Sequence, residues 1–199
     1  MIRRATNLRI PPRLIVRIGI LRALANKNYR IYAYGNSVSM IGTWVQRVAV
    51  GWLTWELTHS TMWLGIIAFA ELLPTLLVGL FAGAIADRAN RLLLFRISQV
   101  LAMSQSAALW ALTFFGLITA DLLLIFTLYL GFIYGFAQPI RLSLIPSLVL
   151  PNDLHAAISC NSLFFNIARV KGQINAGAVN IKRDIAHAFG INVFTYFAL

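Results

Sequence analysis

Apolar residues occupy this chain in long blocks, with polar residues confined to short breaks and to single positions inside the blocks. The blocks run from about Tyr32 to Leu57, Met62 to Ala86, Leu92 to Ile118 and Leu122 to Gln138, with a fifth over about 154–180. Each can cross a hydrocarbon core of about 30 Å at about 1.5 Å per helical residue. A last block, 185–199, would reach only about 22 Å as a helix and falls short of spanning. The breaks read "THST", "GAIADRANR", "TAD" and "LSLIPSLVLPND". Pro139 and Arg141 are expected to end the fourth span, Pro146 and Pro151 to break the link after it, and Asp153 to cap the next helix. No stretch alternates at the period of a strand, which argues against a β-barrel. The pattern predicts an all-α membrane protein with a last helix that is incomplete.

Composition strengthens that reading. The 199 residues are 59% apolar and 12% charged, with a mean hydropathy of +0.76. A soluble domain is about 45–50% apolar and about 25% charged. The net charge of +11 raises the possibility of nucleic acid, but eight of the seventeen Lys and Arg fall in residues 1–30, which contain no Asp or Glu. There is no basic face with interleaved aromatics, so lipid rather than nucleic acid is the expected partner. Residues 1–30 form a basic segment, distinct from the helical domain over 31–199. Beyond Pro11-Pro12, Arg13, Arg17 and Arg22 alternate with Leu14, Ile15, Ile18 and Leu21, as in a helix lying on an anionic membrane surface. A cleaved organelle-targeting peptide has a similar composition. Lys and Arg flank the breaks on one side of the membrane only, which places the N-terminus in the cytoplasm. Lys182 and Arg183 run against that rule.

Chemistry-bearing residues are few. Cys160 is the single cysteine, and His59, His155 and His187 match no ligand spacing, so neither a metal nor another cofactor is expected. The histidines are expected in loops or at helix ends. Nothing resembles a nucleotide loop or a nucleophile–base pair, so an enzyme is the least favoured class. More informative are three charges inside the spans. Arg47, Glu71 and Arg169 each stand about fifteen residues, or about 22 Å, from the inner end of their span. A charge at such depth costs at least about 2.5–3.5 kcal/mol and usually faces the bundle interior with a partner. Glu71 is therefore expected to neutralise Arg47 or Arg169, and it could also carry a proton. Asn36, Thr43, Arg47 and Thr54 share one helical face, as do Ser162, Asn166, Arg169 and Gln173. These stripes either line a solute path or bond helices to one another. Glu56 is expected as a snorkelling surface charge, Trp44, Trp52, Trp55 and Trp63 as interface or packing aromatics, and Gln138 and Arg141 at the membrane boundary.

The break "GAIADRANR" carries the pattern Gly83, Asp87, Arg88, Arg91 between the second and third spans. It resembles the signature loop of the major facilitator superfamily. "GTWVQRVAVGWLTWELT" and "NSLFFNIARV" are similar to the bacterial drug and siderophore exporter branch, and the resemblance covers roughly residues 25 to 172. It implies two six-helix halves, twelve helices in all, with a small molecule bound between them near the midplane. It also implies that Asp87 and its arginines act as a gating latch against a helix of the other half. The chain matches the N-terminal half. The expected function is ion-coupled efflux by alternating access in a bacterial inner membrane, completed by a missing C-terminal half or a second copy. The alternatives are a truncated, non-transporting fragment and a half-size transporter acting as a homodimer. Lys171 and Gln173 depart from the branch pattern, which leaves residues 171–199 as a divergent or damaged end.

Overall fold

The computed structural model describes residues 22–88, 90–178 and 181–196. Its helices are α1 (Lys27–Thr58), α2 (Thr61–Arg88), α3 (Arg91–Phe114), α4 (Ala120–Leu148), α5 (Leu154–Ala178) and α6 (Ile181–Tyr196). A 3-10 turn, Pro151–Asp153, precedes α5, and the described residues contain no strand. The basic segment before Arg22, with its surface-helix or targeting reading, lies outside the described residues.

Local chemistry sets most boundaries. Asn26, Asn90 and Thr119 accept backbone N–H groups at the starts of α1, α3 and α4. His59 closes α1 in the left-handed region, its N–H bonded to Trp55 O. The third helix stops at Phe114 rather than Ile118 because Gly116 takes φ +68° and Leu117 N bonds back to Leu112 O at 2.8 Å.

Three expectations need correction. First, α4 does not end at Pro139. It continues through Pro139 and Pro146 to Leu148, so most of the expected link is helix. Ile140, Leu144 and Ile145 keep the helical period and bury against their neighbours, and in a membrane bundle such packing outweighs the bonds proline removes. Second, Asp153 sits in the 3-10 turn, and its carboxylate pairs with Arg22 at 2.9 Å. Third, α6 begins at Ile181, earlier than expected, and His187 lies within it rather than at an end. Among the described residues, three helices are long and apolar enough by length and composition alone to cross a membrane: α2 over Thr61–Gly83, α3 and α4. In α1 the polar residues Asn36, Ser39, Gln46 and Thr54 are buried inside the bundle.

α2 lies along α4, α1 along α5 and α6, and α3 along α4 and α6. Exchanging α1–α3 for α4–α6 leaves this pattern unchanged: α1 on α5 becomes α4 on α2, and α1 on α6 becomes α4 on α3. Such a pattern is what two packed three-helix repeats produce. α4 and α2 approach closely along their length. A Cβ on Gly131 would stand 2.7 Å from Glu71 O, and one on Gly135 2.7 Å from Val78 Cβ. Thr75 Oγ1 lies within hydrogen-bond reach of Glu71 O on its own helix (2.8 Å) and of Gly131 O across this seam (3.0 Å).

The outward faces are apolar. Phe69, Leu76, Leu80 and Phe81 on α2 and Leu93, Ile97 and Val100 on α3 are exposed. The two larger apolar clusters of the bundle lie around Leu53, Leu109, Leu123 and Phe189 and around Tyr29, Ile145, Ala157 and Cys160. Between the helices sits a polar knot. Gln46 Nε2 donates to Gln105 Oε1 (2.8 Å), while Ser106 Oγ and Asn192 Nδ2 both donate to Gln46 Oε1 (2.6 Å each). This knot ties α1, α3 and α6 together, so α6 is an integrated part of the bundle.

Candidate functional site

Asn36, Ser39, Thr43 and Arg47 of α1 border a cavity of about 130 Å³ between the helices. Asn36, Thr43 and Arg47 line it from α1, Thr75 from α2, Gln99 from α3, Tyr134, Gln138 and Arg141 from α4, Phe165 from α5 and Tyr196 from α6. Asn36 and Arg47 are eleven residues apart, so the lining extends about 16 Å along α1. Arg47 also borders a second hollow of about 150 Å³ toward the His59 end, lined by Gln46, Glu71, Gln105 and Thr127 among others.

The ion pair at this junction has two contacts to one oxygen. Arg47 Nε donates to Glu71 Oε1 at 2.8 Å, and Nη2 lies 2.6 Å from the same atom. The Arg47 guanidinium also lies over Trp44, 4.7 Å from the ring centroid, and 5.9 Å from that of Tyr134. Charge, ring and carboxylate together hold Arg47 at the border shared by the two hollows. Below it, Tyr134 Oη stands 3.3 Å from both Thr43 Oγ1 and Tyr196 Oη. Asn36 Nδ2 donates to Asn161 Oδ1 of α5 at 3.4 Å.

Glu71 thus meets Arg47 and not Arg169. Arg169 and Asn166 lie elsewhere, on an exposed face of α5 with Ser162 and Gln173. There Asn166 Nδ2 donates to its own helix at Ser162 O. The two stripes of the sequence therefore part company: Asn36, Thr43 and Arg47 of the α1 stripe line the interior cavity, Thr54 is buried and donates to Val50 O of its own helix, and the α5 stripe faces outward. Gly172, next along α5, packs directly on Ile41 and Trp44 of α1.

Gly83 lies in the last turns of α2, and Asp87 and Arg88 end that helix; the side chains of the last two lie outside the described residues. Arg91 opens α3, where its Nη1 donates to Ser143 O of α4 at 3.3 Å. Asn90 caps the same helix through Leu92 N and Leu93 N, both 3.1 Å. The motif's asparagine is therefore a helix start, and its final arginine joins α3 to α4.

Gln138 and Arg141 line the cavity rather than only marking the boundary. With Tyr134 they recur at steps of four and three, a readable polar stripe that the two prolines obscured. The described residues hold no group of three or more His, Cys, Asp or Glu able to bind a metal ion. Glu56 is exposed, and its Oε1 accepts from Trp52 Nε1 at 2.9 Å.

Comparison with known proteins agrees with this architecture. Residues 18–199 match the family model for transmembrane secretion effectors. The "Staphyloferrin A transporter" of Staphylococcus aureus (strain NCTC 8325 / PS 47) is 30% identical over 140 residues, covering 70% of this chain. That alignment spans 35% of the relative's length. No solved structure matches. With a family match over nearly its whole length, the chain belongs to the transmembrane secretion effectors of the major facilitator superfamily, a family of multi-pass membrane proteins.

Proposed function

We propose that this chain is the N-terminal six-helix half of a twelve-helix exporter that moves a small molecule by ion-coupled alternating access. It would sit in a bacterial inner membrane with its N-terminus in the cytoplasm. The observation that carries this reading is the exposed stripe Ser162, Asn166, Arg169 and Gln173 on α5. A polar and charged stripe facing hydrocarbon is too costly to persist. A second six-helix unit across that face would cover it and enclose the cavity on α1. The named relative, a transporter of which the alignment spans only about a third, supports both the activity and the larger assembly.

Within this reading Asn36, Thr43 and Arg47 line the solute path, Glu71 sets the charge of Arg47, and Asn166 and Arg169 face the second unit. Asp87 and Arg88 would latch onto a helix end of that unit, where a carboxylate gains about 0.3–1 kcal/mol from the helix dipole.

The test is co-expression of this chain with the C-terminal half of the Staphylococcus aureus relative, followed by solute uptake into energised everted vesicles. Uptake that requires both chains is the expected result. Uptake by this chain alone would replace the reading with a homodimeric half-size transporter. No uptake and no co-purification would favour a non-transporting fragment.

A further inference from the structure

The cavity is unbalanced in charge. No Asp or Glu lines it, while two arginines do. Glu71 meets Arg47 from the neighbouring hollow. Arg141 has no such partner among the described residues. Its Nη2 donates to the Gln138 side-chain oxygen, and its buried Nε has no hydrogen-bond partner. Gln99 Oε1, in the same lining, and Tyr32 Oη, on the ring that packs against Phe95, are also buried and unpartnered. Buried polar atoms are satisfied in nearly all stable structures, so a cluster of exceptions around one cavity marks a place for a polar occupant. A guanidinium remains charged at every accessible pH, and its planar fork matches a carboxylate. The opposite wall is aromatic: Trp44 and Phe165 meet edge to face at 5.9 Å.

We propose that this cavity binds a small molecule bearing a carboxylate, seated on Arg141, with an apolar or aromatic body against Trp44 and Phe165. This assignment rests on the reading of the cavity as part of the solute path, and it adds the chemical class of the solute. Arg141 is the specificity-determining residue and Gln138 holds its guanidinium in place.

The experiment uses the purified chain in lipid nanodiscs, titrated with 2-naphthoate and with its neutral isostere 2-naphthamide. The expected result is binding of 2-naphthoate about tenfold tighter than 2-naphthamide, the discrimination of one charge-assisted contact. R141Q should bring the two within about twofold, chiefly by weakening 2-naphthoate, and R141K should keep part of the preference. Circular dichroism and elution volume establish that both variants are folded. Equal binding of the two probes by the wild-type chain would overturn the anion assignment and leave the cavity as a solute site. A preference unchanged in R141Q would overturn the role of Arg141. Displacement of 2-naphthoate by an equal concentration of inorganic phosphate would overturn the choice of a carboxylate over other oxyanions. No binding of either probe would overturn the cavity as a solute site as well.

Discussion

Arg47 borders two hollows, and a carboxylate from another helix holds it there. Removing that carboxylate alone leaves a partly buried guanidinium unmet. E71Q should lower stability by about 2 kcal/mol, the range of a hydrogen bond to a charged group, read as earlier thermal unfolding in detergent. Removing both charges should do less harm, because the cost lies in the unpaired charge rather than in the missing bond. R47Q/E71Q should therefore unfold later than E71Q. A double variant less stable than E71Q would show that Glu71 has another role. Much of this was legible beforehand: Arg47 and Glu71 stand at equal depth in adjacent spans, and depth is arithmetic on residue number. Choosing Arg47 over Arg169 was not legible, since depth says nothing about rotation. Rotation depends on which faces pack, and only the packing of α1 on α5 turns Arg169 outward.

At the scale of the element, the helices were readable from apolar blocks, and their ends were less so. Pro139 and Pro146 are strong stop signals in water, yet α4 runs past both. The apolar side chains around them bury against neighbouring helices, an influence no local rule contains. One local signal was present and passed over: Gly131 and Gly135 stand four apart, the small-residue spacing that lets membrane helices approach closely. Gly131 has the Glu71 carbonyl where a side chain would begin, while Gly65 has open space. G131A should cost about 1–3 kcal/mol by overpacking. G65A should stay within about 0.5 kcal/mol of the wild type. Proteolysis midpoints in detergent would measure both, and equal effects of the two substitutions would refute the seam. The polar knot of Gln46, Gln105, Ser106 and Asn192 also escaped the sequence reading. Gln46, Gln105 and Asn192 stand far apart in sequence, and nothing in their spacing brings them together.

The whole molecule is a bundle with apolar flanks, a polar cavity along α1 and one polar stripe turned outward on α5. Family membership and the repeated contact pattern of α1–α3 and α4–α6 are what the proposed reading of this bundle as half of a transporter builds on. The signature loop pointed there from the sequence, because Asp87 adds nothing to an inside-positive loop and so asks for another purpose. What the loop did not reveal is the cavity's own chemistry, which comes from Tyr134, Gln138 and Arg141 on α4 joining Thr43 and Arg47 on α1.

The central claim is that this cavity is a water-accessible path through a lipid-embedded bundle. Site-directed labelling tests it most directly. In a background where Cys160 is replaced by Ser, T43C and V100C are each placed in membrane vesicles and exposed to a charged, membrane-impermeant maleimide. Thr43 lines the cavity and Val100 lies on the apolar outer face of α3. Modification of T43C with V100C left unreacted is the expected result. An unreactive T43C, or a V100C that labels equally fast, would contradict the account.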